Sequence, residues 1–213
     1  MTTTPLSTLG ASRSTTGAVS AATSAVKAGK LNLGCGFNRI QGFLNIDRSP
    51  ACHPDLLFDA ETHPWPWETS SIREVLFVHS MEHMGADANI FLAMIRELYR
   101  VCVPLARVRI IVPHPRHDDF INDPTHVRAI TPVLFTLFDR EKNLRWIEGH
   151  FANSPLAIYL GVDFVVESSQ VTLTPAYQER ANNGELSEQD IQALLLERNN
   201  VAKEFDFTLV VRK

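Results

Sequence analysis

The chain has 213 residues, 45% of them hydrophobic, enough for one ordinary globular domain with a full core and no staples. A net charge of −4 argues against a broad polyanion-binding surface, so nucleic acid is not the expected partner, and no apolar run approaches the roughly 18 residues of a membrane span. Three cysteines, Cys35, Cys52 and Cys102, form no C-x-x-C and no disulfide framework; a reducing cytoplasm is the simplest compartment, with Cys35 and Cys102 as small core residues.

Residues 1–27 are rich in Ser, Thr, Ala and Gly, with no acidic residue and only Arg13 before Lys27. That composition reads as a flexible tail, or as a Ser-rich, acid-poor transit segment. The stretch Lys30 to Asp47, KLNLGCGFNRIQGFLNID, follows. It reads as a strand, the glycine turn Gly34-Cys35-Gly36, a short connector, and a second strand ending on Asp47. Glycines let a backbone adopt positive φ and approach a ligand closely. An acid ending the next strand accepts hydrogen bonds from ribose hydroxyls. A dinucleotide fingerprint needs Gly or Ala three positions after the second glycine and an acid ~20 residues on. Here Arg39 holds that third position, and Asp47 follows Gly36 by eleven residues. Little helix N-terminus is left to hold a pyrophosphate. A ligand with ribose and adenine but no phosphates fits better, which disfavours a nicotinamide oxidoreductase.

Leu31-Asn32-Leu33-Gly34-Cys35-Gly36 and Gly42-Phe43-Leu44-Asn45-Ile46-Asp47 resemble the class I S-adenosylmethionine (SAM) methyltransferases. They are most similar to a group of short predicted methyltransferases with LNLGCG, a shortened connector and G-[FW]-L-N-[IV]-D. The resemblance implies an α/β, Rossmann-like, doubly wound seven-stranded sheet, mostly parallel with an antiparallel last strand, over residues 28–213. It implies cofactor contacts from Gly34, Cys35, Gly36, Asp47, Asp59, Ala60 and His79.

A third strand, Asp55 to Ala60, ends on Asp59; the resemblance gives this acid the adenine amino group, and a turn cap is the plainer reading. His63-Pro-Trp-Pro-Trp67 cannot be regular structure. Trp65 and Trp67 either border the adenine or cover the sheet edge. Glu74 to Ser80 is a buried fourth strand. It ends in His79-Ser80-Met81-Glu82-His83, similar to the family's H-x-L-E-H. Asp87 caps a helix to about Cys102, with Ile90, Phe91, Met94, Ile95, Leu98 and Cys102 at helical spacing. Pro104-Leu105-Ala106 stands where the family has Pro-Gly-Gly. Arg107 to Pro113 is the fifth strand. The segment 114–160 is the expected substrate cover, and its Asp123-Pro-Thr-His126-Val-Arg128 run resembles the same group. Its aromatic stretch, 131–158, is too irregular for one helix; it walls a pocket, packs as core, or mediates a homodimer. A sixth strand at Asp163–Thr174, a helix from a capping-box start at Ser187 and Asp190, and a last strand at Glu204–Lys213 close the chain.

Five of eight histidines, His79, His83, His114, His117 and His126, follow the two strands beside the methyl-donor site. A histidine pKa suits general-base work near neutral pH. The first choice is His126 oriented by Asp123, then His117. Arg128 is placed for an acidic group on the substrate, and Trp146 for the pocket wall. A metal reading competes, since imidazole and carboxylate suit zinc, iron or manganese. His79-x-x-Glu82-His83 resembles the E-x-x-E-H of metal-dependent small-RNA 2′-O-methyltransferases, with His126 to complete a set. The leading expectation is methyl transfer from SAM to nitrogen or oxygen of a small molecule. The rivals are a metal-assisted, RNA-end methyltransferase and a non-catalytic methyltransferase-like subunit.

Overall fold

The computed structural model of the protein describes residues 29–213; the expected tail, residues 1–27, lies outside them. Seven strands form one sheet: β1 (Lys30–Leu33), β2 (Leu44–Asp47), β3 (Leu56–Leu57), β4 (Ile72–Val78), β5 (Cys102–Pro113), β6 (Phe164–Leu173) and β7 (Ala202–Val211). Their spatial order is β3-β2-β1-β4-β5-β7-β6. The pairs from β3 across to β5 are parallel, whereas β7 runs antiparallel to both β5 and β6. The sheet is the doubly wound, seven-stranded one the sequence implied. The strand order reverses between β1 and β4, so a crevice opens at the carboxyl ends of these strands.

The β1–β2 connection, residues 34–43, contains no helix. Parallel crossovers are normally a dozen residues or more and cover the sheet face with a helix. Here a loop covers it, and a loop brings unpaired backbone groups. Asn32 and Asn45 answer that need. They are register partners on neighbouring strands, both buried. The Asn32 amide donates to Asn45 Oδ1 and to the Asn38 carbonyl, each at 3.0 Å. Asn45 Oδ1 accepts the Ile40 N–H at 2.7 Å, and its amide donates to Asp55 at 2.9 Å. Arg39 donates to Asp55 and to the His53 carbonyl, tying the connector to β3. The opposite sides of β1 and β2, Leu31, Leu33, Leu44 and Ile46, enter the apolar core.

The helix Ala88–Val101 matches its expected span, with Asp87 accepting the Asn89 amide at 2.7 Å as N-cap. Its buried face is Phe91, Met94, Ile95, Leu98 and Val101. Each such side chain contributes roughly 1.5–3 kcal/mol of burial. Ile90 is exposed, and Cys102 already belongs to β5. Both Cys35 and Cys102 are buried, as expected. Pro104-Leu105-Ala106 lies within β5 at a register shift against β4, where Leu105 takes φ +64. β3 is shorter than expected, and between β6 and β7 an unexpected helix, Pro175–Asn182, precedes the expected one, Glu188–Glu197. Ser187 and Asp190 form the full capping box.

The stretch 131–160 divides by role. Phe135 and Phe138 are core residues, with Phe135 5.5 Å from Phe207 and Phe138 6.5 Å from Phe91. Phe151 and Tyr159 are exposed. Trp65 and Trp67 are also core, packed edge to face at 5.8 Å.

At the amino ends of the parallel strands, the charges are paired. Arg100 grips Glu97 through two bonds of 2.7 and 2.8 Å and donates to the carbonyls of Trp65 and Trp67. Arg212 bridges Asp139 at 2.7 Å and Asp163 at 2.8 Å. No helix among the described residues is long and apolar enough to cross a membrane.

Candidate active site

The glycine turn after β1 does two different things. Gly34 has φ +67, and a Cβ there would lie 2.5 Å from the Ser80 Cβ. Only glycine lets the exits of β1 and β4 approach this closely, and the Ser80 hydroxyl fixes the approach by donating to the Leu33 carbonyl at 2.8 Å. Gly36 has φ +49, and a Cβ there would meet nothing within 4 Å. Its surface is therefore open to a ligand. Cys35 between them is buried, and burial with the nearby Asp47 charge pushes its thiol up to about 11. It packs the turn and does not line the crevice.

Asp47 is held at the crevice lip by two amides. Gly36 N–H donates to Oδ2 and Ser49 N–H to Oδ1, both at 2.8 Å. Each oxygen keeps capacity for a further hydrogen bond. Asp59 accepts the Glu61 amide at 3.0 Å, so it stabilises a turn and lines the crevice at once. Ala60 is buried beside it. The crevice encloses about 720 Å³ including its open mouth; Gly34, Gly36, Asp47, Asp59, Ala60, His79 and His83 line it, with Ile46, Arg48, Phe58, Glu61, Ser80 and Met84. No residue of 114–160 lines it. Glu61 and Met84 carried no motif signal, and Ser80 stood at the variable position of its motif; their place comes from loops that meet only in three dimensions.

The histidines separate into two groups. His114 packs against Phe205, and burial lowers its pKa. His117 accepts the Asp119 amide at 3.1 Å as N-cap of the short helix Asp118–Ile121. Neither lines the crevice. The second group is His79, His83 and His126. His79 sits at φ +49 after β4, half exposed, with Nε2 3.2 Å from Glu204 and Nδ1 3.8 Å from Glu82. Glu204 comes from β7, which sequence spacing could not reveal. His126 is set behind His83, ring centroids 4.6 Å apart, with its side chain only 7% exposed. The Asp123–His126 pair expected from sequence is not a hydrogen bond: the separation is 3.7 Å, because Asp123 instead accepts the Thr125 amide and hydroxyl at 2.8 and 2.6 Å.

Glu82 is buried, and burial pushes its carboxyl up to about 7. Its backbone carbonyl accepts the Val127 and Arg128 amides at 2.9 and 3.2 Å, which lays the 114–128 loop over the Met81–His83 turn. Arg128 donates to the Gly85 carbonyl at 2.6 Å and stacks 4.3 Å over the Phe91 ring. Those contacts hold it in the scaffold rather than toward a substrate acid. Trp146 lies half-buried on the helix Arg140–Glu148, and it too is absent from the crevice lining.

The whole architecture is similar to a crystal structure of a SAM-dependent methyltransferase from Archaeoglobus fulgidus: 15% identity, TM-score 0.56, covering 87% of this chain and 88% of that one. This chain carries the Rossmann-like methyltransferase fold. A methyltransferase-fold structure from Listeria monocytogenes, described as a putative S-adenosylmethionine-dependent methyltransferase, aligns over 93% of this chain and 97% of its own at 12% identity and TM-score 0.49. Neither a family model nor a curated protein matches the sequence.

Proposed function

We propose that the chain is a SAM-dependent methyltransferase that moves a methyl group to nitrogen or oxygen of a small-molecule acceptor, assisted by a histidine. The observation that carries this reading is the Asp47 carboxylate, presented at the crevice lip by the Gly36 amide directly after the β1 turn. Two oxygens with spare acceptor capacity suit a ribose diol. The helix-free connector offers no phosphate cradle, and Asp59, in the lining of the same crevice, suits an adenine amino group. When bound, SAM supplies an electron-poor methyl carbon. The protein's share is to place the acceptor and manage its proton, and positioning alone is worth roughly 7–11 kcal/mol of barrier.

Of the two candidate histidines that line the crevice, His79 and His83, His79 is half exposed and has a carboxylate, Glu204, 3.2 Å away to balance a gained proton. It therefore replaces His126 as the first choice of base. Three carboxylates in the lining, Asp47, Asp59 and Glu61, against one Arg48, favour a neutral or cationic small acceptor over a polyanion.

Calorimetric titration with S-adenosylhomocysteine tests the reading. Wild type is expected to bind one equivalent. Each charge-assisted bond to Asp47 is worth about 1.5–3 kcal/mol, so Asp47→Ala should weaken binding by on the order of 100-fold or more. Wild-type affinity in that variant would sink the site, and no binding by folded wild type would move the assignment to a non-catalytic subunit. Once an acceptor is identified by screening, His79→Ala should lower kcat by roughly 10²–10⁴-fold with S-adenosylhomocysteine affinity retained; unchanged kcat removes the base role.

A further inference from the structure

Behind the crevice wall, Glu82, His83 and His126 each offer a donor atom, all within 4.8 Å of one another. The Glu82 side chain is 1% exposed, and its Oε2 is buried with no hydrogen-bond partner. A buried carboxylate oxygen left unpaired is costly, and a cation removes that cost.

The surrounding hydrogen bonds fix both imidazoles in the same state. Thr125 Oγ1 gives its proton to Asp123 at 2.6 Å, so toward His83 Nδ1, 2.9 Å away, it can only accept. His83 therefore carries its proton on Nδ1. His126 Nδ1 stands 3.0 Å from the Phe120 carbonyl, which also only accepts, so the same holds there. Both rings present Nε2 without its proton, the form a metal ligand needs, set by outer hydrogen bonds, and Asp123 Oδ2 lies 3.7 Å from His126 Nε2, too far for a hydrogen bond. The Val127 and Arg128 amides, both donating to the Glu82 carbonyl, hold His126 against this pair. His79 stands outside the set: its donor atoms are not within the 4.8 Å cluster, and its Nε2 lies 3.2 Å from Glu204.

We propose that Glu82, His83 and His126 form a site for one divalent first-row transition ion, bound through Glu82 Oε2 and the two Nε2 atoms. Two imidazoles and one carboxylate suit zinc, iron or manganese and leave positions open. Metal bonds of about 2.0–2.1 Å require the donors to draw together on binding. The site adjoins the crevice through His83. A role of the ion toward the acceptor rests on the methyltransferase reading; its binding does not.

The test uses the full chain, purified without chelator and assayed by elemental mass spectrometry, then stripped and titrated with ZnCl2 and MnCl2. One ion per chain is expected, with zinc raising the melting temperature of wild type. Glu82→Gln, nearly isosteric, and His126→Ala should each lose tight binding and the zinc-dependent rise. The exposed His150→Ala should keep both. A cooperative melting transition of each metal-free variant reports that it is folded. No stoichiometric ion on folded wild type, or unchanged zinc affinity in both Glu82→Gln and His126→Ala, overturns the site. Failure of folded wild type to bind S-adenosylhomocysteine, with zinc binding intact, would instead overturn the cofactor reading alone.

Discussion

The two ends of the sheet treat charge in opposite ways. At the amino ends, Arg100 and Arg212 meet carboxylates and carbonyls at ordinary hydrogen-bond distances. At the carboxyl ends, Asp47 keeps acceptor capacity, Glu82 leaves an oxygen unpaired, and His79 occupies positive φ. Both ends leave atoms unpaired, Arg212 Nε among them, but at the carboxyl ends the spare capacity belongs to carboxylates at or beside the crevice.

Four substitutions press on that contrast. Gly34→Val should have the largest effect. It combines a strained positive φ with a clash against Ser80, costs about 2–5 kcal/mol in urea melts, and abolishes S-adenosylhomocysteine binding. Gly36→Ala, with open space around it, should show only the conformational part. Arg212→Ala, at the other end, strands the nearly buried Asp139 and Asp163. It should lower stability by about 2–4 kcal/mol while leaving S-adenosylhomocysteine affinity unchanged; a matched loss of affinity would show that the two ends are coupled. The smallest effect belongs to Glu97→Gln. Hydrogen bonds from Arg100 hold the Glu97 carboxyl below its ordinary pKa. Its stabilisation is therefore present above the unfolded value of about 4.3 and is lost as pH falls through the folded one. The stability gap between wild type and Glu97→Gln should shrink as urea melts move from about pH 6 to about pH 3. A pH-independent gap would remove the ion pair as its source.

The same contrast explains what the sequence made legible. The glycine turn, Asp47 and the helix Ala88–Val101 were readable because neighbouring residues decide them: φ at Gly34, a strand end, a capped apolar period. The orientation of His126 was not, because Asp123 had a closer partner in Thr125, two residues away. Glu204 beside His79 depends on a β7 that pairs with β5 from the far end of the chain. Trp146 invited a pocket role by residue type alone, whereas the Leu134–Phe138 turn on the core shows how the same aromatic stretch is spent on packing. The helix Pro175–Asn182 has no apolar period to announce it; none of its residues is buried.

The amides of Asn32 and Asn45 carry one further consequence. The loop they hold has no helical hydrogen-bond ladder of its own, so its order depends on side chains, and two of them also bridge β1 to β2. Loop and strands must then open together, as a single cooperative unit of hydrogen exchange rather than by gradual fraying. The Gly36 and Ile40 amides would share one opening free energy, and a ligand closing on Asp47 would slow both, so the Ile40 amide would report occupancy of a crevice it does not line.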